Sequence, residues 1–146
     1  MKHIVLASDL TDRVERVVPQ VITLAESMGA HVTLLHVIQV LTSVQSGGML
    51  TAPPIAHDPE ADRSRASKQL KEMAAGFPKS IEVHTEVVSS DDVPRAISLW
   101  AEENDADLIV MPTHGRSGLR RIFLGSVAEG VLRSSKVSVL CAPLQA

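Results

Sequence analysis

The residues best suited to chemistry lie between Asp107 and Ser135, where a short apolar run leads into a loop rich in glycine and in basic side chains. Gly125-Ser126 closes this loop, and apolar residues at helical spacing follow it. A helix that starts here offers unpaired backbone N–H groups and the positive end of its dipole to an anion. The pattern predicts a phosphate site with Ser126 as the helix cap, and an ordinary strand-to-helix connection is the alternative. The protonatable and cationic side chains of the loop are His114, Arg116, Arg120 and Arg121.

A second candidate is Asp9, a carboxylate that directly follows the first apolar run of the chain, residues 3–8. A strand-end carboxylate that points into a crevice can accept hydrogen bonds from both hydroxyls of a ribose, and such charge-assisted bonds are strong. An aspartate near the start of a helix is an equally good structural interpretation. Ala7 and Ser8 precede Asp9 and are expected to line the same wall.

The glycine loop resembles the signature of the universal stress protein family, in which Gly-x2-Gly is followed nine residues later by Gly-Ser or Gly-Thr. Gly115 is the second glycine, residues 116–124 are the nine, and Gly125-Ser126 closes the motif. Pro112 stands in place of the first glycine. The resemblance extends over nearly the whole chain. It implies a stress-response protein of the type that holds ATP, or AMP or ADP, as a regulatory ligand.

The resemblance also implies roles for particular residues. Val37 would pair through its backbone with the adenine edge, Asp9 would contact the ribose, and the phosphates, with Mg²⁺ bound through them, would lie at the start of the last helix. The implied contact residues are Ala7, Ser8, Asp9, Val37, Pro112, Gly115, Arg116, Gly125, Ser126 and Val127. A homodimer is implied through the last strand, from Val137 to Ala142, which carries no charge and no internal proline and so lacks the usual protection of an edge strand.

Pro112 is the main departure from the family signature. Proline has no N–H and a fixed φ, so the close approach of the backbone to the ribose is in question at this position, although the carbonyl remains. Some members of the family bind no nucleotide. A dimeric interaction module of the same fold is therefore the alternative function.

Apolar periodicity, glycine and proline together predict the elements that position these residues. Strands are predicted at residues 3–8, 31–38, 81–88, 108–111 and 137–142, and helices at 12–28, 58–77, from 90–92 onward and from 125–126 onward, with a long loop at 39–59. Alternating polar and apolar residues mark the third strand as a sheet edge. The element order predicts one α/β domain over residues 1–146, a doubly wound five-stranded parallel sheet in the order 3-2-1-4-5 with helices on both faces.

This architecture predicts where the candidate residues meet. In an open parallel sheet, ligands bind at the carboxyl ends of the strands, where the strand order reverses. With strands one and four as central neighbours, the residues after strand one, the end of strand two and the glycine loop converge on one crevice.

Composition excludes several classes of function. With 146 residues, 45% of them apolar and 21% charged, the chain fits one globular domain. A net charge of −3 and only three aromatic residues give no reason to expect nucleic acid or an anionic membrane as a partner. The first apolar run is too short for a signal peptide or a membrane span. Cys141 is the only cysteine, which suits a reducing cytoplasm.

No catalytic apparatus can be identified from the sequence. The phosphate-binding patterns Gly-x4-Gly-Lys-Ser/Thr and Gly-x-Gly-x2-Gly are absent. The six histidines are scattered along the chain without metal-ligand spacing. We therefore assign no catalytic residue and no metal ligand, and nucleotide binding is better supported than turnover. Slow hydrolysis of ATP in the same pocket is the weaker alternative.

Overall fold

The computed structural model describes residues 2–41, 58–113 and 124–143. The predicted long loop at 39–59 lies mostly outside the described residues. Strands and helices alternate as expected, and the predicted bounds differ from the observed ones by at most three residues. The elements are β1 (Lys2–Ala7), α1 (Asp12–Met28), β2 (Ala30–Gln39), α2 (Pro59–Ala74), β3 (Val83–Ser90), α3 (Val93–Glu103), β4 (Leu108–Pro112), α4 (Ser126–Ser134) and β5 (Ser138–Ala142).

The five strands form one parallel sheet in the order β3-β2-β1-β4-β5, which confirms the predicted topology. The central strand β1 is buried from its second residue onward because it is apolar on both sides, as a strand covered by helices on two faces must be. In β3, burial alternates along much of the strand, as expected for a sheet edge. The reversal of strand order lies between β1 and β4.

Helices cover both faces of the sheet, and the side chains of β1 show how. Ile4 and Leu6 belong to the core that packs against α1 and α2. Val5 and Ala7 point the other way, into the core formed with α3 and α4. Because successive side chains of a strand point to opposite faces, an uninterrupted apolar run supplies both cores at once.

The starts of α2 and α3 and the end of α1 follow ordinary capping chemistry. The Asp58 carboxylate accepts hydrogen bonds from the first turn of α2, and Asp92 does the same for α3. Gly29 ends α1 in the left-handed conformation, with φ of 62°. The start of α4 differs from these and is described below. Among the described helices, none combines the length and the apolar character needed to cross a bilayer.

Candidate functional site

A cavity of about 200 Å³ opens at the carboxyl ends of β1, β2 and β4. The first turns of α1, α3 and α4 complete its wall. Of the ten predicted contact residues, six line this cavity: Ala7, Ser8, Asp9, Val37, Pro112 and Val127. Gly125 and Ser126 are adjacent to it in the chain, at the start of α4. Gly115 and Arg116 lie outside the described residues, as do His114, Arg120 and Arg121.

The turn after β1 carries Asp9 and has a strained backbone. Leu10 adopts φ of 61°, a left-handed conformation that is costly for a bulky residue. The Ser8 hydroxyl accepts a hydrogen bond from the Leu10 N–H at 3.1 Å. Asp9 Oδ1 accepts two hydrogen bonds from Thr11, from its N–H at 3.0 Å and from its hydroxyl at 2.6 Å. Asp9 thus organises the start of α1 and also lines the cavity, so the structural and the ligand-facing interpretations are compatible.

His36 ties the end of β2 to this turn. Its Nδ1 lies 2.7 Å from the Ser8 carbonyl oxygen and must carry a proton, because a carbonyl only accepts. Ser8 in turn donates its N–H to the Leu35 carbonyl at 2.8 Å. These bonds hold the turn after β1 in a fixed position relative to β2.

Three polar residues of the cavity wall were missed by the sequence analysis: Arg13, His36 and Gln39. Two of them carry a positional signal that could have revealed them. Arg13 follows Asp9 by one helical turn, and Gln39 follows Val37 by two residues, on the same side of β2.

The deeper wall of the cavity is apolar. Its side chains come from β2, from β4, from α3 and from the position two residues before α4: Leu35, Val37, Val93, Ile97, Met111 and Leu124. Polar groups are confined to the turn after β1 and to the neighbouring positions of α1 and β2. An apolar wall with a few placed polar groups is typical of a small-molecule site and suits a flat heteroaromatic ring better than an extended peptide.

The start of α4 corrects one prediction. The cap residue is Gly125, with φ of 85° and ψ of 155°, and Ser126 is the first residue of the helix. The prediction of Ser126 as the cap was wrong, because a cap needs a non-helical backbone and Ser126 is already helical. The conformation of Gly125 is essentially restricted to glycine. Within the part of the chain that the structure describes, no side chain caps this helix, in contrast to α2 and α3.

Pro112 is the last residue of β4 and lines the cavity. It pairs in register with Ala142, and the next residue, Thr113, donates its N–H to the Ala142 carbonyl at 3.0 Å. Thr113 is buried. The chain therefore remains fixed to β5 for one residue beyond the position where the family signature begins.

The opposite end of the sheet holds a histidine cluster that the sequence did not reveal. His3 and His31 pair in register on β1 and β2, and their rings stack at 4.2 Å between centroids. His84 of β3 lies edge-on to His31 at 5.9 Å, and Trp100 lies edge-on to His3 at 6.1 Å. Burial lowers the pKa of His3, and the nearby His31 and His84 lower it further, against the raising effect of the Asn104 carbonyl and of Asp107.

His3 is held on both sides of its ring. Its Nδ1 donates to the Asn104 carbonyl at 3.1 Å, and its Nε2 lies 2.8 Å from the Thr33 hydroxyl. Stacked rings do not direct their nitrogens to one point. In agreement with this, no group of three or more histidine, cysteine or acidic side chains in residues 2–41, 58–113 and 124–143 has the geometry of a metal site.

The chain is similar to one family of known proteins. The profile of the universal stress protein family matches residues 1–143. A universal stress protein of Methanocaldococcus jannaschii is 34% identical over 140 residues, covering 95% of this chain and 80% of the relative. A universal stress protein A homologue of Coxiella burnetii is 32% identical over 146 residues, covering 95% and 94%.

Solved structures with the same fold include a universal stress protein from Archaeoglobus fulgidus, with a TM-score of 0.72 at 24% identity over 97% of this chain and 98% of that one. A structure of the universal stress protein from Archaeoglobus fulgidus in complex with dAMP has a TM-score of 0.63 at 23% identity, covering 97% of both chains. A universal stress protein in complex with cAMP has a TM-score of 0.63 at 22% identity, covering 99% and 98%.

Proposed function

The chain belongs to the universal stress protein family, and from this premise we propose that it binds ATP, or AMP or ADP, in the crevice as a regulatory ligand. One observation carries the proposal. One cavity is bounded by an apolar wall, by the Asp9 carboxylate and by the first turn of α4. This helix begins at a glycine-specific turn, where no described side chain caps it. These three surfaces have the chemistry needed for a base, a ribose and a phosphate, respectively. The dAMP and cAMP complexes of similar proteins support an adenine nucleotide as the occupant.

Different residues of the site bind different parts of the nucleotide. The adenine ring lies against the apolar wall, with its edge at the backbone of Val37. Asp9 accepts hydrogen bonds from the ribose through Oδ2, since Oδ1 already accepts two from Thr11. The phosphates lie at the start of α4, against the N–H groups of Ser126 and Val127. Gly115 and Arg116 are proposed to complete this end.

Gly125 gives the phosphate end its shape, because a residue without a side chain lets the phosphate approach the backbone closely. Mg²⁺ is proposed to bind through the phosphates of ATP rather than through a dedicated protein site. Among the described residues of the crevice, no general base is paired with a nucleophile. In this proposal the bound nucleotide therefore acts as a regulatory ligand that biases the conformation of the protein or its choice of partner.

Homodimerisation through β5 is the second part of the proposal, and a contrast between the two sheet edges supports it. At the β3 edge, Arg63 of α2 donates a hydrogen bond to the Val87 carbonyl at 2.7 Å. At the β5 edge, Leu140 is 37% exposed on an uncharged strand. Pairing of β5 with its two-fold mate covers that edge.

The dimer is tested with Leu140→Lys rather than with a change at Val139, which packs against the core. Light scattering at tens of micromolar is expected to give a dimer for the unmodified protein and a monomer for the variant, since a charge opposes edge pairing. Lys136→Ala, close in the chain but outside β5, is the control. A monomeric unmodified protein contradicts this part of the proposal.

Nucleotide binding is tested on the purified protein by acid release, chromatography and an ultraviolet spectrum. With one tryptophan and no tyrosine, the protein absorbs weakly, so a bound adenine stands out. Calorimetry with ATP, AMP and adenosine then gives affinities. Binding of ATP or AMP supports the proposal, and binding of neither contradicts it.

The second candidate function is a dimeric interaction module of the same fold that binds no nucleotide. Pro112 is the observation that favours it, because the residue lines the cavity and offers no backbone N–H there. This candidate predicts a dimer in light scattering together with no adenine in the acid extract.

A further inference from the structure

Helices α3 and α4 touch at a point where a side chain is missing. Gly130 is the fifth residue of α4, and a Cβ placed on it would lie 2.6 Å from Pro94 Cβ and 2.7 Å from Pro94 Cγ. Such distances are well inside van der Waals contact. Any side chain at position 130 therefore pushes α4 away from α3 or forces one of the helices to shift.

A second contact joins the same helices one turn further along. The hydroxyl oxygens of Ser98 and Ser134 are 2.8 Å apart. Ser98 Oγ also lies 3.0 Å from the Pro94 carbonyl, and Ser134 Oγ lies 2.9 Å from the Gly130 carbonyl. One serine donates its hydroxyl proton to the carbonyl in its own helix, and the other donates across to the first hydroxyl; either serine can take either role. We call these four residues the α3–α4 clasp.

Glycine inside a helix lowers helix stability relative to alanine. Its presence in the middle of α4 needs a packing reason, and the contact with Pro94 supplies one. Pro94 itself lies in the first turn of α3, where its missing N–H costs nothing. The contact between the helices thus accounts for the glycine in α4, and the first-turn position accounts for the proline in α3.

The clasp is directly connected to the cavity wall. Val93 and Ile97 of α3 line the cavity from the turn that contains Pro94. Val127 and Ala128 of α4 line it from the turn before Gly130. The separation of the two helices therefore sets the position of the N–H groups at the start of α4 relative to the part of the cavity wall that α3 contributes.

We propose that Gly130, through its contact with Pro94, is a positioning residue that holds the start of α4 at the distance needed for phosphate binding. This inference rests on the proposed nucleotide function and adds a determinant of phosphate affinity that touches no ligand. A displaced α4 moves its first N–H groups away from the phosphate, whereas the contacts of Asp9 and Val37 with the nucleoside come from the turn after β1 and from β2 and are retained.

The test compares AMP with adenosine in calorimetry on the unmodified protein, Gly130→Ala and Gly130→Ala/Pro94→Gly. Gly130→Ala is expected to weaken AMP binding by about tenfold or more, the size of a lost hydrogen bond to a charged group, and adenosine binding by much less. The AMP preference over adenosine therefore collapses. Pro94→Gly removes the atoms that the new methyl group would meet and is expected to restore the preference. Leu132→Ala, on the exposed side of α4, is the control and should leave the preference unchanged.

Ser134→Ala provides a second variant that adds no bulk and so keeps the fold. It removes the bridge and is expected to reduce the AMP preference by about threefold, as for a neutral hydrogen bond. An unchanged AMP preference in both Gly130→Ala and Ser134→Ala, in a protein that binds AMP, overturns the positioning role alone. Absence of AMP binding in the unmodified protein overturns the proposed function and the positioning role together.

Discussion

The two ends of the sheet are built in opposite ways. At the amino end, polar groups bond to one another. The His3 ring contacts the Asn104 carbonyl and the Thr33 hydroxyl and stacks on His31. The His3 backbone N–H donates to the Asp107 carboxylate at 2.8 Å. At the carboxyl end, polar groups of the turn after β1 and of neighbouring positions in α1 and β2 lie at the wall of a cavity whose remaining lining is apolar.

The contrast lies in the side chains rather than in the backbone. Positive φ occurs at both ends, at Leu10 and Gly125 beside the carboxyl-end cavity and at Gly29 and Asp105 at the amino end. Among the described residues, the amino end has one unsatisfied buried nitrogen, His31 Nδ1, beside a more open cavity, whereas the polar groups around His3 are paired with one another. We therefore expect mutations at the carboxyl end to change binding and mutations at the amino end to change stability.

The largest effect is expected for Gly125→Val. A β-branched residue cannot adopt φ of 85° with ψ of 155° without strain, and its side chain blocks the approach of a phosphate to the start of α4. We expect ATP binding to fall by about a hundredfold or more, equivalent to about 3 kcal/mol, as calorimetry would measure. Circular dichroism should remain that of the unmodified protein.

Gly76→Ala serves as the matched control for glycine replacement, because a Cβ there meets only the Met73 carbonyl, at 3.3 Å. This variant should bind ATP normally. Equal losses in Gly125→Val and Gly76→Ala would remove the distinction between the two glycines and with it the phosphate role of the start of α4.

The next effect in size concerns Asp9. Asp9→Ala removes the proposed acceptor of the ribose hydroxyls and should weaken ATP binding by about 1.5–3 kcal/mol, the range for hydrogen bonds to a charged group. It also removes the bonds to Thr11, so a smaller loss of stability is expected as well. The decisive measurement is the preference for ribose over deoxyribose nucleotides. If the variant discriminates between them as well as the unmodified protein does, Asp9 is purely structural.

Much of the fold was predictable from the sequence because the signals are local. Unbroken apolar runs mark strands covered on both faces, and the alternation in residues 81–88 marks an edge. The crevice followed from topology alone, since parallel strands bring the residues after their carboxyl ends together. Topology placed Asp9 and the end of β2 at this crevice, whereas the choice of Val37 as a contact residue came from the resemblance to the family.

What the sequence did not predict depends on register or on backbone conformation. His3 and His31 are 28 residues apart and meet because the strands pair in one particular register. Neither residue carries a local signal of that pairing. The cap of α4 was assigned to Ser126 on residue type, whereas the observed cap is Gly125 because its positive φ turns the chain into the helix.

The amino end offers the third prediction, which concerns pH. The pKa of His3 lies below its ordinary value of 6.5 in the folded protein, chiefly because of burial. The unfolded chain therefore binds more protons as the pH falls below about 6.5, and the free energy of unfolding decreases from there down through the folded pKa. The slope is at most about 1.4 kcal/mol per pH unit for one proton.

Thermal or urea unfolding between pH 8 and pH 5 measures this dependence (roughly the range over which histidines titrate). His3→Gln is expected to be less stable than the unmodified protein at pH 8, because it loses the stack on His31, and to show a flatter pH profile. His84→Gln is the comparison variant: His84 is exposed, lies 3.0 Å from Glu82 and edge-on to His31, and is the last of the causes that lower the pKa of His3, so its loss should flatten the profile only slightly. A pH profile that His3→Gln leaves unchanged would assign the dependence to other groups.

The smallest effect is expected at Pro112, and it tests whether the carboxyl end tolerates a departure from the family signature. The proposed phosphate end of the site, formed by Gly125 and the first turn of α4, does not include residue 112. Pro112 lies at the end of β4, next to the apolar wall, so a change there acts on the nucleoside end alone. Proline lacks an N–H, and Pro112→Gly restores one.

We therefore expect Pro112→Gly to bind ATP as tightly as the unmodified protein or slightly more tightly. The gain is limited because a glycine at this position also loosens the chain, which Thr113 otherwise holds to β5 through the Ala142 carbonyl. Calorimetry on both proteins decides the matter. If only Pro112→Gly binds an adenine nucleotide, the proline has closed the site. The protein then works as an interaction module, and the carboxyl-end cavity is left without an adenine nucleotide as its natural ligand.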